Sequence, residues 1–182
     1  MSFHDAAGGE NIVASADGHL EVNAGTTLDM TAPTVDINAS TAVTIDSDTV
    51  TFGSANSTDP LVTIKNTTND ANGARLRFVK DKGAAGADGD DVGLIEFYGD
   101  DDNQDQVLYA RVLAEVADAS NGAEGGKLTL GVASHDGGLE AGLVIQDGNA
   151  DGELDITIGS GSSSVTTIAR SEERRVGKEC PL

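Results

Sequence analysis

The chain has 182 residues, of which 31 are acidic and 11 are basic, so its formal net charge is −20. This charge repels polyanions, and we expect neither nucleic acid nor an anionic membrane surface as a partner. No apolar run approaches the roughly 20 residues of a membrane span. Four Phe, two Tyr and no Trp exclude a conventional large single-chain core, because aromatic side chains bury the most apolar surface per residue.

Residues 20–52 form an internal repeat that follows a lead-in, residues 1–19, without a secretion signal. Five units of seven or eight residues each begin with an apolar-x-apolar triplet and end in turn-forming residues. Alternation within a triplet places both apolar side chains on one face of a short strand. The ten repeated positions are Leu20, Val22, Leu28, Met30, Val35, Ile37, Val43, Ile45, Val50 and Phe52.

These short strands bury little apolar surface alone, and repeats of this kind need neighbours stacked on them. Three identical chains wound about one axis supply those neighbours, so we predict a homotrimeric, intertwined β-helical shaft with the ten repeated positions as its core. A single-chain parallel β-helix is the competing architecture. Its turns usually take about 20 or more residues, and the unit found here is less than half that length, which favours the trimer.

The alternation lengthens after a hinge-like stretch, residues 53–60. Residues 61–169 are predicted to be a β-rich module with separators rich in Gly, Asp and Asn, as hairpin loops require. Short strands at such spacing favour an antiparallel β-sandwich or a β-prism, so the predicted class is all-β throughout. The predicted strands are residues 61–66, 74–80, 93–99, 107–116, 127–133, 142–147, 154–159 and 165–169.

Residues 170–182 differ in character from the acidic, β-patterned chain before them. The string RSEERRVGKEC resembles the translation of a sequencing-adapter read left at the end of an assembled DNA fragment, so this tail is interpreted as non-native and is set aside. It carries Cys180, the only cysteine, and intrachain disulfides are therefore excluded. We expect that the natural protein was cut off here.

A calcium loop is the one metal site that the spacing suggests. Asp147, Asn149 and Asp151 place oxygen ligands at alternate positions, as in the first half of a calcium-loop pattern, and Asp155 could add a further ligand. The Glu expected at position twelve is replaced by Ile158. The alternative is an acidic hairpin loop without a metal, and no other cofactor is predicted.

Catalysis is not predicted. Two acidic clusters, residues 88–91 and 100–102, flank the strand at residues 93–99 and should lie at its two ends. Paired carboxylates can cleave glycosidic bonds, but no pair stands out among so many, and no nucleophile and base can be named. We therefore expect a protein that is not an enzyme.

The period of residues 20–52 resembles the triple-stranded β-helix of phage cell-puncturing spikes and tail-fibre shafts. Residues 60–169 contain, in this order, the segments NTTNDANGARLRF, DGDDVGLIEFYG, LYARVLAEVADASNGAEGGKLTLGV and ITIGSG. This order resembles the repeated fibre module of tailed phages, which is often found upstream of a self-cleaving chaperone domain. The resemblance implies a homotrimer in the virion tail that projects a host-binding tip, touches other tail proteins and contacts host surface glycans. The alternatives are a glycan-binding or polysaccharide-degrading tail spike and a trimeric bacterial surface adhesin stalk.

Overall fold

The computed structural model describes residues 11–167, with side chains for Ile12 and for residues 16–167. This part of the chain contains seven β-strands and no helix, which confirms the all-β prediction. The chain divides into two compact units between Leu61 and Val62. The strands are β1 (Asn11–Ala16), β2 (His19–Asn23), β3 (Asp91–Asp100), β4 (Gln106–Asp118), β5 (Gly125–Ala133), β6 (Leu139–Asp147) and β7 (Leu154–Ile158).

The first unit begins with an antiparallel hairpin of β1 and β2. Asp17 and Gly18 connect the two strands, and Gly18 has a φ of 77°, a left-handed conformation that costs glycine little. Asp-Gly is also a favoured pair for two-residue hairpin turns. The hairpin was not predicted, although this turn signal was present, and β2 crosses the predicted boundary between residues 19 and 20.

The rest of the repeat forms no strand within one chain. From residue 24 to residue 61 the backbone of the first unit has no strand partner, and its side chains are exposed. The ten positions predicted as a shared core are 47–68% exposed, from Val35 to Leu20. The repeat is therefore not a self-sufficient β-helix in the described part of a single chain.

The second unit is built on one five-stranded antiparallel sheet in which β3 to β7 pair in sequence order. Five strands predicted between residues 93 and 159 are confirmed with small shifts at their ends. Residues 61–66 and 74–80, also predicted as strands, pair with nothing in this chain, and that prediction is wrong for the single chain. Residues 165–167 are likewise unpaired, whereas 168 and 169 lie outside the described residues.

Alternation and register divide this sheet into two chemically different faces. On one face, cross-strand pairs such as Ile95–Val112 and Leu130–Leu143 place apolar residues beside one another. We call this the apolar face; its members are Ile95, Phe97, Ala110, Val112, Ala114, Leu128, Leu130, Val132, Leu143, Ile145, Ile156 and Ile158, and its row through Val132 ends at Glu140. The opposite, polar face carries Glu96, Arg111, Glu115, Lys127, Gln146 and Asp155 around a central row of Leu94, Leu113, Thr129, Val144 and Thr157.

Burial on the two faces of this sheet is the reverse of what their residue compositions would favour. Leu113 is the one buried apolar side chain among those described, at 6% exposed, and Thr129 beside it is 5% exposed. Both lie on the polar face. Seven members of the apolar face, by contrast, are 38–62% exposed. One chain thus covers the centre of its charged face and leaves its apolar face in water.

Candidate assembly surfaces and acidic loops

Long charged side chains lie on both sides of the buried row of the polar face. Lys127 and Glu115 lie opposite each other on β5 and β4, and the Lys127 ammonium is 3.0 Å from a Glu115 carboxylate oxygen. Aliphatic stems of such side chains cover apolar neighbours while the charged ends stay hydrated. Leu113 and Thr129 occupy the adjacent row, so this pair and Arg111 flank them on both sides.

Two polar atoms on this face lack a hydrogen-bond partner in the described structure. They are the Nε of Arg111 and the hydroxyl oxygen of Thr129. An unsatisfied buried hydroxyl costs about 1–3 kcal/mol. The buried side chain of Thr129 therefore has no hydrogen bond that offsets the burial of its hydroxyl.

The apolar face extends over all five strands. Its two complete rows run through Leu128 and Leu130, and each row continues from β3 to β7. Strands lie about 4.8 Å apart and rise about 3.4 Å per residue, so this face measures about 24 Å across the strands. Successive rows on one face lie about 6.8 Å apart, so the two complete rows cover about 330 Å² of flat area, which is within the range of the largest apolar patches of ordinary monomers, about 300–600 Å² and commonly functional. A third, shorter row through Phe97 and Val132 ends at Glu140 on β6.

Phe78 completes the apolar face at its β3 edge. A Cβ placed on Gly93 would lie 2.9 Å from the Cβ of Phe78 and 3.1 Å from its Cγ, so the Phe78 side chain occupies the space that a larger residue at position 93 would fill. Gly93 pairs with Ala114 and therefore belongs to the row of Leu128. An aromatic side chain over an edge-strand glycine restores the apolar cover that glycine lacks.

Acidic loops gather at one end of the sheet. The β4–β5 and β6–β7 loops border an open groove of about 550 Å³, lined by Asp118, Glu124, Asp147 and Asp151 with glycines between them. The Asp118 carboxylate accepts a 2.7 Å bond from the Ser120 N–H, and hydrogen bonds from Ser120 lower the pKa of Asp118. The Gly122 N–H donates to Glu124 and lowers the pKa of that carboxyl as well. Both carboxylates therefore stabilise their own loop.

The four predicted calcium ligands do not converge. Asp147 pairs with Leu154 and Asp155 pairs with Gln146, so Asp147 and Asp155 lie on opposite faces of the hairpin. Asn149 and Asp151 lie in the connecting loop, where the Asn149 N–H donates to the Glu153 carboxylate at 3.0 Å. Within residues 11–167, no three His, Cys, Asp or Glu side chains form a group that could hold a metal ion.

The two acidic clusters lie at opposite ends of β3, as predicted. Asp88 accepts a 2.8 Å bond from the Ala119 N–H, which ties the segment before β3 to the end of β4. Asp90 accepts bonds from the Lys82 ammonium at 2.6 Å and the Ala87 N–H at 2.8 Å. The Lys82 bond is the main reason that the pKa of Asp90 is lowered. These carboxylates hold loops in place.

At the other end of β3, Asp101 accepts bonds from the N–H groups of Asn103 and Asp105 in the β3–β4 loop. The β5–β6 loop at the same end is closed in a similar way by Asp136, whose carboxylate accepts bonds from the Ser134 hydroxyl at 2.6 Å and the Gly138 N–H at 3.1 Å. These bonds lower the pKa of Asp136. The arrangement is that of a turn stabilised by an aspartate side chain.

The geometry thus defines an all-β chain with exposed apolar surface in both units. The described part holds no helix long and apolar enough to cross a membrane. Comparison with family models, with curated proteins and with solved structures found no match to this chain.

Proposed function

We propose that the chain is a homotrimeric structural segment of a tailed-phage fibre or spike, which projects a host-binding tip from the virion. The exposure of the repeat is the observation that carries this proposal. Its apolar positions alternate as strands require, yet they are 47–68% exposed and their backbone has no strand partner beyond β2. Three intertwined copies would supply both the missing backbone partners and the missing apolar cover.

Charge supports the same role. A net charge of −20 keeps a solvent-exposed fibre protein soluble and disfavours nonspecific association. The resemblance of residues 20–52 to phage shafts and of residues 60–169 to phage fibre modules supports a location in the virion tail. The finer architecture that we propose is an intertwined β-helical shaft followed by a β-prism or β-sandwich, in which strands from other copies complete the sheet seen here.

The first test is the absolute mass in solution, measured by light scattering on the full chain. The proposal expects about three times the 18.5 kDa of one chain. A well-folded monomer would contradict the proposal. The tail location is tested separately: antibodies against residues 20–167 should label the fibres of the phage that encodes the protein in electron micrographs, and labelling of a bacterial surface would favour the adhesin alternative.

A further inference from the structure

We infer that the apolar face of the β3–β7 sheet is the surface through which copies of this chain meet in the second unit, with the polar face turned to water. This inference rests on the proposed homotrimer and adds to it which side of the sheet is buried. The ten repeat positions predicted as the shared core all lie in residues 20–52, and none of them belongs to this sheet.

The first support is the inverted burial of the sheet. Leu113 and Thr129 on the polar face are already covered in a single chain, whereas Leu130, Phe97 and Ile156 on the other face are 39%, 53% and 62% exposed. A partner seated on the polar face would gain little further apolar burial. The same partner on the apolar face removes several large side chains from water at about 25 cal/mol for each Å².

The second support is charge, which identifies the partner as another copy. In the two rows through Leu128 and Leu130, no member of the apolar face is ionisable, so copies of a chain with 31 acidic residues can meet there without bringing carboxylates together. The polar face carries Glu96, Glu115 and Asp155 beside Arg111 and Lys127, and burying these charged groups against a partner would cost several kcal/mol for each ion that loses its water. Self-association is therefore less costly through the apolar face, where Glu140 lies only at the end of the row through Val132.

The third support is that both units of the chain expose apolar side chains. The repeat and the sheet each expose apolar side chains, and copies of the chain supply cover for each. Within one chain, the side chain of Phe78 already packs over Gly93 on the apolar face. Residues 61–66 and 74–80, which pair with nothing in their own chain, have the alternation of strands that another copy could accept.

Thiol labelling of two adjacent positions tests the inference. Ile156 and Thr157 are neighbours in β7, both are exposed in the single chain, and they point to opposite faces. We would prepare Ile156→Cys and Thr157→Cys in a Cys180→Ser background, measure the mass of each sample, and follow maleimide labelling. At trimer mass, Ile156→Cys should react at least about tenfold more slowly than Thr157→Cys, because labelling then requires the interface to open; in denaturant the rates should be equal.

Each other outcome has a separate meaning. Equal rates, or slower labelling of Thr157→Cys, at trimer mass would overturn the assignment of the face while leaving the trimer intact. A monomer mass would overturn the proposed function, and with it this inference. Protection of Ile156→Cys in a monomer would show that the same chain covers the face, which also overturns the inference. Ile156→Asp against Thr157→Asp provides a second readout, since only the first should lower the trimer mass.

Discussion

Ile45→Asp distinguishes a shared shaft from a free chain. Ile45 is 66% exposed in the single chain, so in a monomer the change should alter stability by no more than about 0.5 kcal/mol. In the proposed trimer the exposed two thirds of the side chain becomes buried. Full burial of an Ile side chain is worth about 1.5–3 kcal/mol, so each copy would lose about 1–2 kcal/mol of apolar burial.

The introduced carboxylate adds a larger penalty. Burying an unpaired charge costs several kcal/mol after relaxation, and three copies would place three carboxylates near one axis. The total loss, on the order of 10 kcal/mol, is comparable to the whole stability of an ordinary domain. We therefore expect Ile45→Asp to lose the trimer mass in light scattering, and Val35→Asp to behave in the same way.

Thr44→Asp is the matched control, because Thr44 is the central residue of the same triplet and points away from the apolar stripe. It adds the same charge one position away and should keep the trimer mass. If Ile45→Asp keeps both the trimer mass and the melting temperature of Thr44→Asp, residues 20–52 do not form a shared apolar core. Loss of assembly in both variants would instead indicate general charge repulsion.

Three further predictions concern the second unit. Gly93→Ala should destabilise the second unit by about 1–3 kcal/mol, because the new methyl group overpacks against Phe78. In a double-mutant cycle of thermal melts, adding Phe78→Gly should remove most of this penalty. Additive effects of the two substitutions would contradict the contact. Lys127→Met should keep the apolar cover over Leu113, whereas Lys127→Ala should lower the free energy of unfolding by about 1 kcal/mol, because it removes the aliphatic part of the side chain. If both variants lose the same stability, the ion pair with Glu115 and not the aliphatic part of Lys127 is the source of that stability. Asp136 should titrate below the ordinary Asp value of about 3.9 in an NMR pH series, and Ser134→Ala should raise its pKa.

The pH dependence that follows from Asp136 has a defined sign. Its pKa is lower in the folded protein than in an unfolded chain, so the carboxylate contributes stability to the β5–β6 loop that is fully present above the unfolded value. That contribution is lost as the pH falls through the folded value. Hydrogen exchange of the Gly138 N–H, which donates to this carboxylate, should report the loss locally.

Local patterns along the sequence were sufficient to predict much of the second unit. The alternation of apolar residues in residues 107–116 and 127–133, with Gly- and Asp-rich segments between them, predicted β4 and β5 because a half-buried strand has a period of two. The same alternation in residues 74–80 did not produce a strand in this chain. Pairing requires a free sheet edge in the correct register, and periodicity does not carry that information.

The predicted calcium site is a second case in which local spacing did not reveal the pairing register of the strands. Asp147, Asn149, Asp151 and Asp155 are correctly spaced for a loop that folds around an ion, but Asp155 lies within β7, and its pairing with Gln146 turns it to the opposite face from Asp147. The hairpin register therefore separated residues that spacing alone had grouped. Glu153, which was not singled out, is the residue whose carboxylate accepts the bond that closes this loop.

The sequence by itself determined the all-β class, the acidic surface and the shortage of large side chains for a core, because these follow from composition and from a two-residue period. Only the tertiary structure decided which face of the sheet holds Leu113 and Thr129 and which leaves Leu130 and Ile156 exposed. Register assigns side chains to faces, and burial depends on what lies over each face. Neither the register nor the burial is determined by a local run of residues.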